Sequence, residues 1–180
     1  MMKKTAVLLY PQFSEYELSV ALSILMQGNK PTVTIGVNNQ PIKGESGLSV
    51  VTDTTVDDVN FDEIDSLLLT GCMDIFSLTN EDKIINFIRK VAKEETIIAS
   101  ISSSPYLLAK AGILKGKKYT VGMTPENMES SGIFEMENYS EELVVKDGNI
   151  ITARGRGFIK FGKYLGNALK LEFNERWYQE

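Results

Sequence analysis

The sequence predicts an α/β protein: a three-layer sandwich with a mostly parallel central sheet, helices on both faces and small β-hairpin excursions. Three observations lead there. Apolar runs of strand length recur along the chain, they alternate with segments of helical periodicity, and most end at glycine, proline or serine. Alternation of this kind builds a parallel sheet covered on both sides. The 180 residues suit one domain with a sizeable core, and no repeat, low-complexity stretch or linker divides them.

Thr5 to Tyr10 reads as a buried first strand. Ser14 and Glu17 then form an S-x-x-E capping box, and the helix behind it places Leu18, Ala21, Leu22 and Leu25 on one face. Pro31 to Val37 is a second strand, and residues 38–53 form a hairpin excursion broken by Gly44 and Gly47. Ser66 to Thr70 is a fully apolar strand ending at Gly71. Thr79 caps a helix whose inward face is Ile84, Ile85, Phe87, Ile88 and Val91. Thr96 to Ile101 is the next strand, and Tyr119 to Met123 a shorter one. Leu143 to Lys146 and Ile150 to Ala153 flank Asp147-Gly148, a strong hairpin signal. The run Arg154-Gly155-Arg156-Gly157 leads into a last helix with Phe158, Phe161, Leu165 and Leu169 inside.

Composition narrows the function classes. With 43% hydrophobic and 24% charged residues the chain is of ordinary globular type. A net charge of −5 without a basic run argues against nucleic acid. No apolar run approaches the length of a membrane span. The start, MMKKTAVLLYPQF, has too short an apolar run for a signal peptide and no small-residue cleavage site. One cysteine excludes an intrachain disulfide, so the expected compartment is the cytoplasm. With no histidine and that single cysteine, only carboxylates remain as metal ligands; neither a metal nor a cofactor is expected.

The most informative stretch is residues 96–116, TIIASISSSPYLLAKAGILKG. An apolar strand runs into three serines, a proline and a helix. Such an elbow lifts one side chain, Ser102, over the carboxyl edge of the sheet, where sites form in α/β proteins. The segment resembles the ThiJ/PfpI superfamily, whose fold is like the class I glutamine amidotransferase domain. The family pattern there is roughly A-I-C-x-G-P followed by L-L-A-x-A-G-L-L-x-G. In this register Ser102 stands at the cysteine, Ser104 at the glycine and Pro105 at the proline. The resemblance spans nearly the whole chain, with least support from residues 38–60.

The resemblance implies roles position by position. Glu17 matches the acidic residue that hydrogen-bonds the nucleophile. Gly71 and Cys72 match a glycine pair whose backbone N–H helps form an oxyanion hole, Cys72 taking the second glycine's place. Ser103 follows the nucleophile position and supplies another N–H. Members carry a histidine either before a proline after the next strand, here Thr124 before Pro125, or directly after the cysteine, here Ser103. Both places lack it. The family includes peptidases, glyoxalase- or deglycase-type enzymes, isocyanide hydratases, stress proteins and chaperones, and commonly forms dimers, so a homodimer is expected.

A serine hydroxyl needs a base. Glu17, with an ordinary pKa of about 4.3, lies about ten units below a hydroxyl near water's value of about 15.7. Burial raises a carboxylic acid by at most about 3–5 units. Lys110, the nearest amine in sequence, lies two helical turns past the elbow. The expectation is therefore a catalytically impaired member with a stress-related or small-molecule-binding role. Alternatives are a family-type hydrolase or lyase using Ser102 or Cys72, a redox sensor at Cys72, or a chaperone-like protein. Glu17 also has a purely capping reading, Cys72 an inert one, and Arg154 and Arg156 read either as hairpin ends or as an anion-binding pair.

Overall fold

The computed structural model describes residues 1–179. Its centre is a seven-stranded sheet with strands β1 (Lys4–Leu8), β2 (Thr32–Gly36), β5 (Thr54–Thr55), β6 (Ile64–Leu69), β7 (Ile97–Ile101), β8 (Val144–Asp147) and β9 (Ile150–Ala153). A separate two-stranded hairpin is made by β3 (Ile42–Lys43) and β4 (Ser49–Val50). The order across the sheet is β5-β2-β1-β6-β7-β9-β8, parallel throughout except for the antiparallel β8–β9 pair. Central strands covered on both faces are rich in apolar residues, and β6 and β7 are each buried at every position but one.

Helices α1 (Glu15–Gln27) and α5 (Phe158–Ala168) pack on each other, with α5 lying on β7 and β9. Helices α2 (Asp82–Val91) and α3 (Pro105–Lys110) also pack together, α3 lying on β7. A short α4 (Pro125–Ser131) follows. The α1–α5 contact is close because α5 offers glycines: a methyl on Gly162 would come within 2.8 Å of Val20 Cγ1 and 3.0 Å of the Ala21 nitrogen. Among the described residues no helix is long and apolar enough to cross a membrane.

Four readings of the sequence need correction. Residues 119–123 are not a strand; the place beside β7 is taken by β9. Tyr119 makes one bridge to Tyr139, the Thr120 N–H donates to Thr152 Oγ1, and the segment passes over the end of β7. Ser14 is the N-cap of α1 but its hydroxyl donates to Glu45 in the hairpin, and Glu17 reaches β6 instead of the cap, so no capping box forms. Thr79 closes a 3-10 turn and shares a hydrogen bond with the Tyr106 hydroxyl, while α2 starts after Glu81. Leu22 is exposed on α1, and Ile24 takes the buried place.

Replacing Gly162 by valine should overpack the α1–α5 contact and cost about 1–3 kcal/mol. Calorimetry would read this as a fall in Tm; an unchanged Tm would show that the two helices have room to separate.

Candidate functional site

The loops after β1, β6 and β7 meet at the carboxyl edge of the sheet. Ser14 N–H donates to the Gly71 carbonyl at 2.9 Å, Met73 N–H to the Gln12 carbonyl at 3.2 Å, and Phe13 bridges Cys72. The loop after β6 is thereby stitched to the entrance of α1, which brings Glu17 over Gly71. The hairpin is drawn in as well: Glu15 accepts from the Ser46 N–H at 3.0 Å and the Leu48 N–H at 3.2 Å.

Ser102 carries the elbow. Its N–H extends the β7–β9 ladder to the Ala153 carbonyl at 2.7 Å, and its carbonyl accepts from Gly122 N–H at 2.6 Å. Between these bonds its φ is +64°, the left-handed region that a residue with a Cβ rarely adopts. Such backbone strain, worth about 1–3 kcal/mol, persists where the surroundings over-determine it and gathers at functional sites. Beneath the turn, Ser104 is wholly buried, and its hydroxyl is hydrogen-bonded to Ser100 Oγ at 2.7 Å and to the Ile101 carbonyl at 2.7 Å. The serine at the family's glycine position is thus a satisfied core group tying the turn to its own strand.

Glu17 is 3% exposed. Its Oε2 accepts from Gly71 N–H at 2.8 Å and contacts Thr70 Oγ1 at 3.2 Å. Burial pushes the carboxyl above its ordinary value; the Ser102 hydroxyl, Gly71 N–H and Thr70 hydroxyl pull it part of the way back, and Glu45 nearby raises it further. Two glycines press on the pair. A methyl on Gly71 would lie 2.8 Å from Glu17 Oε2 and 2.9 Å from Ser102 Oγ; one on Gly155 would lie 2.8 Å from Glu17 Oε1 and 3.2 Å from Ser102 Oγ. Backbone, with no side chain intervening, seals the carboxylate behind Ser102.

Cys72 is half-buried, and its thiol is pushed up to about 12, first by burial and then by the charges of Asp74, Glu17 and Glu45. The Cys72 N–H points to Ser103 Oγ at 3.4 Å, while the Gly71 N–H is committed to Glu17. Neither is an unoccupied donor for an oxyanion. Thr124 is exposed, and its Oγ1 accepts from Asn127 N–H at 3.3 Å as the N-cap of α4. Its segment touches the elbow through Gly122. Arg154 lies over the Tyr139 ring and donates to that hydroxyl, and Arg156 is exposed.

The structure thus brings Glu17, Gly71, Cys72, Ser102 and Ser103 to one place and leaves Thr124 occupied as a cap. Sequence reasoning missed Gly155, Gly122 and Glu45. All three depend on how loops and strand ends fold back on one another, which no periodicity encodes.

A mostly parallel sheet with a left-handed serine elbow backed by a buried carboxylate defines an α/β protein of the ThiJ/PfpI type. The chain belongs to the DJ-1/PfpI family, whose model matches residues 3–166. It is 30% identical over 148 residues to deglycase PfpI of Pyrococcus furiosus, covering 81% of this chain and 86% of that one. It is 30% identical over 156 residues to general stress protein 18 of Bacillus subtilis, covering 84% and 88%. The crystal structure of a thiJ/pfpI family protein from Bacillus anthracis superposes with a TM-score of 0.86 at 21% identity, over 99% of this chain and 89% of that one. A two-domain protein from Anabaena variabilis with dj-1/thij/pfpi-like and ferritin-like domains superposes at 0.81 with 24% identity; the match covers 94% of this chain and 48% of that protein.

Glu17→Gln tests the carboxyl. A carboxylic acid raised in the folded state contributes nothing below its unfolded pKa, destabilises progressively as pH rises through the interval up to its folded pKa, and carries the full penalty above it. Glutamine copies the protonated form and does not titrate. Calorimetry at pH 4 and pH 8 should therefore show the variant gaining on the natural chain as pH rises. A relative loss at pH 8 would mean that the carboxylate is better held charged than neutral.

Proposed function

We propose that this chain is a single-domain DJ-1/PfpI protein that performs no cysteine-type chemistry at its elbow and serves as a stress-related or small-molecule-binding protein. The observation that carries this reading is the content of the elbow: a hydroxyl at Ser102, backed by the carboxyl of Glu17, in a chain without histidine. Thiolates form near neutral pH, whereas a hydroxyl without a matched base does not. The raised carboxyl of Glu17 still falls many units short of abstracting the Ser102 proton. The left-handed backbone at Ser102 is kept all the same, so the turn still presents a polar group at the sheet edge.

Cys72 does not substitute for the lost thiol. A thiol near 12 among three carboxylates holds almost no thiolate at neutral pH, which argues against both a relocated nucleophile and a redox sensor. The ligand is a small molecule meeting Ser102 at the carboxyl edge, in a homodimer in the cytoplasm. Neither a metal nor another cofactor enters this reading.

The test is turnover. With methylglyoxal as a glyoxalase substrate and glycated protein as a deglycase substrate, the natural chain should stay at background. Ser102→Cys with Ser103→His, which restores both groups in adjacent places, should raise the rate. Robust turnover by the natural chain, abolished by Ser102→Ala and kept by Cys72→Ser, would overturn the reading. A separate check is alkylation of Cys72: at pH 8 iodoacetamide should react more than a hundredfold slower than with a free cysteine of pKa about 8.5.

A further inference from the structure

Tyr16 is a neighbour of this site that neither the elbow motif nor the family pattern singles out. It sits on α1 directly before Glu17, half-exposed, with its ring edge-on to Phe158 at 5.5 Å between centroids. Its hydroxyl points inward. A methyl on Gly155 would lie 3.1 Å from Tyr16 Oη, 2.8 Å from Glu17 Oε1 and 3.2 Å from Ser102 Oγ. Three oxygens from α1 and the elbow thus crowd one point above the Gly155 backbone. The other carboxyl oxygen meets the loop after β6, accepting from Gly71 N–H at 2.8 Å and contacting Thr70 Oγ1 at 3.2 Å.

We propose that Tyr16 is a positioning residue of this site: its phenol donates to Glu17 Oε1 and, through that carboxyl, sets which way the Ser102 hydroxyl points. The two oxygens of Glu17 have different tasks. Because Oε2 already accepts from a backbone N–H, any proton on the carboxyl resides on Oε1, the oxygen that lies with both hydroxyls beside the Gly155 backbone. When Glu17 is ionised, both hydroxyls donate inward and present lone pairs to whatever approaches Ser102. When Glu17 is protonated, Oε1 donates to Ser102, and the serine hydrogen turns outward as a donor. Tyr16 favours the ionised form, because its phenol donates a stronger hydrogen bond to a carboxylate oxygen than to a neutral carboxyl.

The other titratable groups around the pair are Glu45 from the hairpin, Tyr10 after β1, and Cys72 with Asp74 after β6. Of these, Glu45 opposes ionisation of Glu17, and Tyr16 acts against it. Hydrogen bonding to Glu17 together with its charge also holds the Tyr16 phenol, first raised by partial burial, above its ordinary value. This inference rests on the reading that ligands meet Ser102, but its test reads protons alone. A chain that binds nothing yet shows the shifts below would refute that reading and leave this one standing.

The measurement is a carbon-13 NMR titration of the Glu17 carboxyl in the full chain, assigned by its loss in Glu17→Gln. Tyr16→Phe keeps the ring against Phe158 and removes the hydroxyl. It should raise the Glu17 midpoint by about one pH unit, the worth of one hydrogen bond to a charged group. A midpoint unchanged in a folded Tyr16→Phe would overturn the proposal. If that variant does not fold, the reciprocal titration decides: the Tyr16 phenol, followed by ring carbon-13 labelling, should fall toward about 10 in Glu17→Gln. A phenol that titrates identically in both chains would equally overturn it.

Discussion

The site depends on one buried carboxylate. Glu17 lies in the first turn of α1 yet is almost wholly hidden, because the loop after β6 closes over it and offers the Gly71 N–H. Desolvating a carboxylate is costly unless donors compensate. Here those donors come from β6 and from the elbow, so the carboxyl joins the entrance of α1, the end of β6 and the start of α3. Gly71 and Gly155 are required by the same packing, since a methyl at either would press on Glu17 and Ser102 together.

The backbone geometry of the elbow does not depend on the chemistry of its side chain. Ser102 still has the left-handed backbone, held by bonds to Ala153 and Gly122 at 2.7 and 2.6 Å. Those bonds belong to the backbone and are indifferent to whether the side chain ends in sulfur or oxygen. The acidity of the terminal group is not a property of the turn. A hydroxyl in the same place receives the same strain, the same neighbouring carboxylate and the same surroundings, but none of them supplies a base. On the proposed reading geometry and reactivity separate at this position; family membership and sequence similarity to a deglycase do not by themselves carry activity.

Much of the fold was legible in the sequence because burial writes itself as periodicity. The inward faces of α2 (Ile84, Ile85, Phe87, Ile88, Val91) and the β6 run are apolar at the expected positions, and Asp147-Gly148 makes the β8–β9 turn with Gly148 at φ +59°. The segment 119–123 reads as a strand by composition, but strand pairing is decided by which neighbour takes the slot beside β7, and β9 takes it. Ser14 and Glu17 match the capping pattern, yet each side chain has a better partner at long range, Glu45 and Gly71. Tertiary hydrogen bonds of this kind leave no local trace. For the same reason Glu17, Gly71, Cys72 and Ser102 could be assigned to one edge from the parallel topology alone, whereas Gly155 and Tyr16 emerge only once the α1 and β9 ends are seen to touch the same atoms.

The central claim is that the elbow presents a hydroxyl without activating it. Intact-protein mass spectrometry after incubation with a fluorophosphonate, a reagent that labels serines made nucleophilic by a base, tests this directly. The account predicts no mass increase in the natural chain over hours at neutral pH. A stoichiometric adduct localised to Ser102, and lost in Ser102→Ala, would contradict it.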